Sequence, residues 1–83
     1  MEIVYSKAAR QALLRSNKRK LLFEKIGQLA DAPETLANNV TQLRGREEWR
    51  LRVQDWRVIF VRDGDTLMIR DIAPRASIYE DGS

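Results

Sequence analysis

Trp49-Arg50-Leu51-Arg52-Val53-Gln54-Asp55-Trp56-Arg57-Val58-Ile59-Phe60 alternates large apolar residues with arginine on both sides of a polar pair. Alternation of this kind marks strands with one buried face, because successive side chains of a strand point to opposite sides of the sheet. With Gln54-Asp55 as a two-residue loop, the pairing follows by counting outward. Val53 meets Trp56, Arg52 meets Arg57, Leu51 meets Val58, Arg50 meets Ile59 and Trp49 meets Phe60. One face then carries Trp49, Leu51, Val53, Trp56, Val58 and Phe60, which is the core side. The other carries Arg50, Arg52 and Arg57.

Like charges directly opposite on a sheet cost about 0.2–1 kcal/mol per pair. Arg52 against Arg57 is such a conflict, and conflicts of this kind are expected mainly at functional sites. An anion resolves it, and phosphate suits an arginine cluster because the guanidinium fork donates two parallel hydrogen bonds. The alternative is screening by water and by Asp55 or Asp71. Downstream, Thr66 to Ile72 reads as a further strand across an Asp63-Gly64 hairpin signal. That turn would place Arg70 opposite Arg57 on the same outer face. Pro74 should interrupt the ladder and redirect the chain, bringing Arg75 and Tyr79 within reach of the arginines. Tyr79 could stack on a base or donate a proton there, or be an ordinary half-buried aromatic.

Upstream, Glu2 to Tyr5 reads as a short strand. Ser6 suits the N-cap of a helix from Lys7 to about Arg15, with Ala9, Ala12 and Leu13 as its apolar stripe. A break at Ser16-Asn17 leads into a second helix from about Lys18 to Ala30, patterned by Leu22, Ile26 and Leu29 and ended before Pro33. So short a join predicts an antiparallel helical hairpin. Pro33 to Glu48 has no sustained period; Val40 and Leu43 are expected to pin it to the core, and Gly45 marks a turn. The expected architecture is α+β, in the order β-α-α-β-β-β. It is an antiparallel sheet with an N-terminal helical hairpin packed on one face, a single domain over residues 1–83.

The chain has 83 residues, no cysteine, no histidine, and 15 Lys/Arg against 12 Asp/Glu. Disulfides, thiolate nucleophiles, the usual zinc ligand sets and histidine acid–base pairs are thereby excluded. Asp63-Gly64-Asp65 offers too few ligands for a hard cation and is explained by turn geometry; no metal or other cofactor is expected. The apolar opening, interrupted by Glu2, is too short for a signal peptide or a membrane span, so cytoplasmic residence is expected, without membrane association. All four lysines lie between Lys7 and Lys25, and every later basic residue is arginine. A domain this small buries only about 60–65% of its unfolded surface, so a bound partner would add materially to stability.

Leu36-Ala37-Asn38-Asn39-Val40, Leu43-Arg44-Gly45 and the Trp49–Phe60 block together resemble the centre of RelE/ParE toxins of bacterial type II toxin–antitoxin systems. Arg75 to Tyr79 resembles a variant of their arginine-rich ending before a tyrosine. The resemblance spans about residues 2 to 80 and implies the same order of elements. In the RelE branch it implies cleavage of ribosome-bound mRNA, without a metal, by attack of a 2′-OH on the neighbouring phosphate. Arg57 and Arg75 would then stabilise the phosphate, and Tyr79 would lie near the scissile bond. Arg50 and Arg52 stand where some RelE proteins have lysines, and with Arg70 would bind RNA. The ending departs from the family pattern, having Pro74 and Ala76 where a second basic residue and often a histidine stand. Arginine, moreover, cannot serve as a base near neutral pH. The ParE branch implies instead inhibition of DNA gyrase without catalysis, and a third reading is a relic that only binds its antitoxin. In each case the implied partner is a cognate antitoxin, an acidic-leaning chain bound near the sheet or helical hairpin, with operator DNA reached only through it.

Overall fold

The structure is a computed structural model that describes residues 1–77. In chain order the elements are β1 (Glu2–Tyr5), α1 (Lys7–Arg15), α2 (Arg19–Asp31), a 3-10 helix (Pro33–Asn39), β2 (Val40–Gln42), β3 (Trp49–Val53), β4 (Trp56–Asp63) and β5 (Thr66–Pro74). The strands form one sheet in the order β1-β5-β4-β3-β2. The α+β class and the helical hairpin are as the sequence predicts. Two features correct the expected antiparallel β-α-α-β-β-β arrangement. The sheet is mixed, because β1 runs parallel to β5, and the aperiodic stretch supplies both the 3-10 helix and the edge strand β2, antiparallel to β3.

The parallel pairing follows from the connection. α1 and α2 lie between β1 and the rest of the sheet, long enough to carry the chain back and let β1 enter beside β5. Ser6 fixes the entry. Its Oγ accepts from the Ala9 N–H (3.0 Å), capping α1, and donates to the Arg70 carbonyl (2.7 Å). At the other end of α1, the buried Ser16 accepts from the Lys18 N–H through its Oγ (2.9 Å), which holds the tight join to α2. Pro33 starts the 3-10 helix directly after α2, where its missing N–H is harmless.

Leu13, Leu22, Ile26 and Leu29 of the hairpin pack against Leu51, Val58, Phe60, Leu67, Ile69 and Ile72 on the inner face of the sheet. These are the apolar positions that alternation assigns to that face. Leu43, Ile59 and Val61 are buried too, yet stand outside this cluster. Ile59 and Val61 alternate onto the outer face, and Leu43 lines the same crevice as Ile59. Leu43 therefore pins the β2–β3 loop onto the outer face, rather than to the main core as the sequence suggested.

The β3–β4 register agrees with the count from the sequence at every pair, Arg52 opposite Arg57 included. The β4–β5 register does not. The turn residues are Gly64-Asp65, closed by Asp63 opposite Thr66, and the pairing shifts again between Ile59 and Phe60, leaving Arg70 as the extra residue of a bulge. Gly64, at φ 58°, takes the first central position of the turn, where only glycine is unstrained. The Arg70 carbonyl is held by Ser6, and the Asp71 carboxylate accepts from the Ile72 N–H (2.9 Å). Ala73, not Arg70, therefore lies opposite Arg57.

Candidate functional site

On the outer face, β3 and β4 bring Arg50, Arg52 and Arg57 to one cleft of ≈ 140 Å³, whose far wall is Asn38, Asn39 and Thr41. Thr41 arrives through its pairing with Arg50 across the β2–β3 ladder. The sequence pointed to the three arginines but not to the amide and hydroxyl wall. The available signal was Asn38-Asn39, two polar residues with strong local hydrogen-bonding habits set directly before an apolar one.

The arginines differ in setting. Arg57 is 6% exposed. Its Nη1 donates to the carbonyls of Gln54 (2.8 Å) and Trp56 (2.9 Å), so part of its donor fork braces the β3–β4 turn. That turn needs bracing: Gln54 sits at φ 54°, left-handed backbone that costs a residue with a Cβ roughly 1–2 kcal/mol. Arg52 is exposed beside it and has no side-chain partner among the described residues. Arg50 is half-buried. Buried cation, exposed cation and neutral donors thus converge on one concavity, an arrangement suited to an anion with several oxygens.

The outlying candidates fall in three places. The Arg75 N–H donates to the Asp55 carbonyl (2.6 Å), which ties the chain after Pro74 to the arginine end of the sheet. Arg70 is elsewhere, facing Glu47 (3.8 Å) and Glu48 (3.9 Å) of the β2–β3 loop, where Arg46 also donates to Glu48 (2.7 Å). Its expected place beside Arg57 was lost with the shifted turn and the bulge. Tyr79 lies outside the described residues.

Chemically, three guanidiniums can bind a phosphodiester and offset the extra charge of a five-coordinate phosphorus, but they cannot remove a proton. Among the described residues no group of three or more His, Cys, Asp or Glu side chains could hold a metal ion, and no helix is long and apolar enough to cross a membrane.

Residues 3–79 match the family described as the ParE toxin of the type II toxin–antitoxin system parDE. The chain belongs to the ParE toxin family. It is a toxin of the type II toxin–antitoxin class, with the fold shared by RelE and ParE proteins. No curated protein sequence matches it. Among solved structures it is similar to the RelB–RelE antitoxin–toxin complex of Methanococcus jannaschii, at 22% identity and TM-score 0.73, covering 92% of this chain and 94% of that one. The RelE–RelB complex of Pyrococcus horikoshii OT3 gives 22% and 0.75, with 93% and 97% covered. YafQ from Escherichia coli gives 16% and 0.72, with 94% and 97% covered. At such identities the likeness speaks for the fold alone.

Proposed function

We propose that this ParE-family toxin is a RelE-like mRNA interferase that cleaves ribosome-bound message and is held inactive by a cognate antitoxin. The observation that carries the reading is the cleft that gathers Arg50, Arg52 and Arg57 against Asn38, Asn39 and Thr41. Such a site grips a phosphodiester by its oxygens, and in RNA the neighbouring 2′-OH supplies the nucleophile. In the proposed step the 2′-oxygen bonds to phosphorus as its proton leaves to a base. The bond to the 5′-oxygen then breaks, and that oxygen takes up a proton. The products are a 2′,3′-cyclic phosphate and a 5′-hydroxyl end.

Arg57, set by the turn carbonyls, would hold one phosphate oxygen in a fixed direction, and fixed donors aimed at developing charge are the largest single source of rate enhancement in such reactions. Arg52, exposed beside it, would contact the neighbouring backbone. Arg75 enters from the same end of the sheet. Tyr79 is the remaining candidate for proton transfer, as donor to the leaving oxygen. The antitoxin partner is supported by the complexes in which similar folds occur.

A second reading, a gyrase inhibitor that needs no catalysis, is favoured by the family description and by the brace role of Arg57, which accounts for that arginine without any substrate. Primer extension on a translated message after brief induction separates the two. New 5′ ends confined to the reading frame, and lost with Arg52→Ala and Tyr79→Phe, support cleavage. Intact message alongside arrested growth refutes it.

A further inference from the structure

β1 closes one edge of the sheet, with β5 on one side of it and no strand on the other. A free edge leaves a row of backbone donors and acceptors open to another chain. Proteins usually blunt such an edge with lysine, proline, a bulge or a very short strand. β2, at the opposite edge, is only three residues long. β1 carries no lysine or proline and pairs with β5 without a register shift. Apolar surface gathers around it instead. Val4, Leu14 and Phe23 are the large apolar side chains left exposed among the described residues, at 44%, 57% and 48%. Val4 belongs to β1 itself. The Phe23 ring meets that of Tyr5 edge-on, with centroids 6.4 Å apart. Phe23 and Leu14 also line a hollow of ≈ 360 Å³ with Tyr5, Arg10 and Leu13.

The backbone sets how a further strand can add. The Glu2 N–H donates to the Asp65 carbonyl (2.9 Å) and the Ser6 N–H to the Ile69 carbonyl (2.8 Å). Even-numbered residues of β1 therefore turn their backbone groups to β5, and Ile3 and Tyr5 turn theirs to the open edge. In an antiparallel pair, residues that exchange both hydrogen bonds lie directly opposite one another. Two copies of β1 meet this condition with Ile3 of each opposite Tyr5 of the other, and Val4 then faces Val4 across a twofold axis. Charge selects the same arrangement. Glu2 at the start of β1 and Lys7 just past its end are exposed, and neither has a side-chain partner among the described residues. Antiparallel pairing sets Glu2 of each copy opposite Ser6 of the other, next to its Lys7, whereas a parallel pair sets like charges together. Across the hairpin Arg10, Arg15, Lys18, Arg19 and Lys20 are exposed against one acid, Glu24, with Asp31 and Glu34 beyond it. That surplus of like charge keeps the association weak.

We infer that the free toxin self-associates through β1 into a twofold dimer, joining two five-stranded sheets edge to edge. Val4 lies at its centre on the outer face, and the Phe23 and Leu14 surfaces of the two copies come together on the inner side. A twofold axis perpendicular to the sheet keeps both outer faces on one side. The two arginine clefts therefore stay open, roughly 30–35 Å apart at about 4.8 Å per strand.

The chain has no cysteine, so a single introduced thiol reports the register in the full-length toxin. Val4→Cys and Glu2→Cys both replace exposed outer-face residues of β1, so both variants should fold; circular dichroism checks this. In the dimer the two Val4 Cα atoms lie about 4.5 Å apart, within disulfide range, and the two Glu2 Cα atoms roughly 14 Å apart. In a glutathione buffer, Val4→Cys should form the cross-linked dimer at least roughly tenfold faster than Glu2→Cys, read on non-reducing gels. Sedimentation equilibrium of the wild-type chain should show dimer with a dissociation constant between roughly 10 µM and 1 mM, the weak range of a small interface. Val4→Lys should weaken it by at least roughly tenfold, as a charge on an edge strand does. Equal cross-linking of the two cysteine variants would overturn the inference, as would a wild-type chain still monomeric at about 1 mM. A dimer that Val4→Lys leaves unchanged would overturn it too, by placing self-association on another surface.

Discussion

Replacing Arg57 with alanine should destabilise the protein as well as disarm it, and the structure sets the scale. Its Nη1 donates to the Gln54 and Trp56 carbonyls at 2.8 and 2.9 Å from a nearly buried position. Hydrogen bonds to a charged group each contribute about 1.5–3 kcal/mol. Both carbonyls belong to a turn that water reaches once the side chain is gone, so the net loss is about 2 kcal/mol. For a domain of this size that lowers the melting temperature by roughly 8–16 °C. Arg52→Ala is the control. It removes an exposed charge directly opposite Arg57 and relieves about 0.2–1 kcal/mol of repulsion, so its melting temperature should be unchanged or higher. Thermal melts followed by circular dichroism read both. If Arg57→Ala melts within 2 °C of wild type, or Arg52→Ala melts lower than Arg57→Ala, the division into a bracing and a free arginine is wrong.

Three further outcomes follow from the same geometry. Gln54→Gly removes a Cβ from left-handed backbone and should stabilise by up to about 1 kcal/mol, seen as a higher urea midpoint; Gln54→Val should do the reverse. Leu43→Ala should cost about 2 kcal/mol and raise amide exchange across residues 43–48, since Leu43 is the apolar pin of that loop on the outer face. Burial raises the pKa of Tyr5 above its ordinary value of 10.0. The unfolded chain therefore ionises first, and the stability held below pH 10 declines as pH rises through the tyrosine range. Urea midpoints from pH 8 to 11 should show that decline, and Tyr5→Phe should flatten it.

The β3–β4 hairpin was legible because each of its constraints is local: alternation fixed the faces, and a two-residue loop fixed the register. Arg52 opposite Arg57 could be counted for that reason. Arg70 could not be placed by the same count. The turn uses Gly64-Asp65 instead of Asp63-Gly64, and the bulge at Arg70 depends on Ser6, 64 residues away in sequence, whose Oγ holds the Arg70 carbonyl. β2 went unread because three residues give too short an alternation to recognise, and with it went the neutral wall of Asn38, Asn39 and Thr41. The parallel entry of β1 is a matter of topology, set by how the helical hairpin crosses the sheet. The α+β class and the helical hairpin were read from periodicity and from Ser6 and Pro33, and the resemblance implied the same order.

The most direct test of the arginine cleft is a reconstituted translation reaction with purified toxin and a defined message. Cleavage is expected only in the presence of ribosomes, leaving 5′-hydroxyl and 2′,3′-cyclic phosphate ends. With Arg52→Ala, whose fold should be intact, cleavage should slow by roughly 10²-fold, the low end for one lost charge-stabilising donor. Message that stays whole, or cleavage at the wild-type rate by a folded Arg52→Ala toxin, would contradict it.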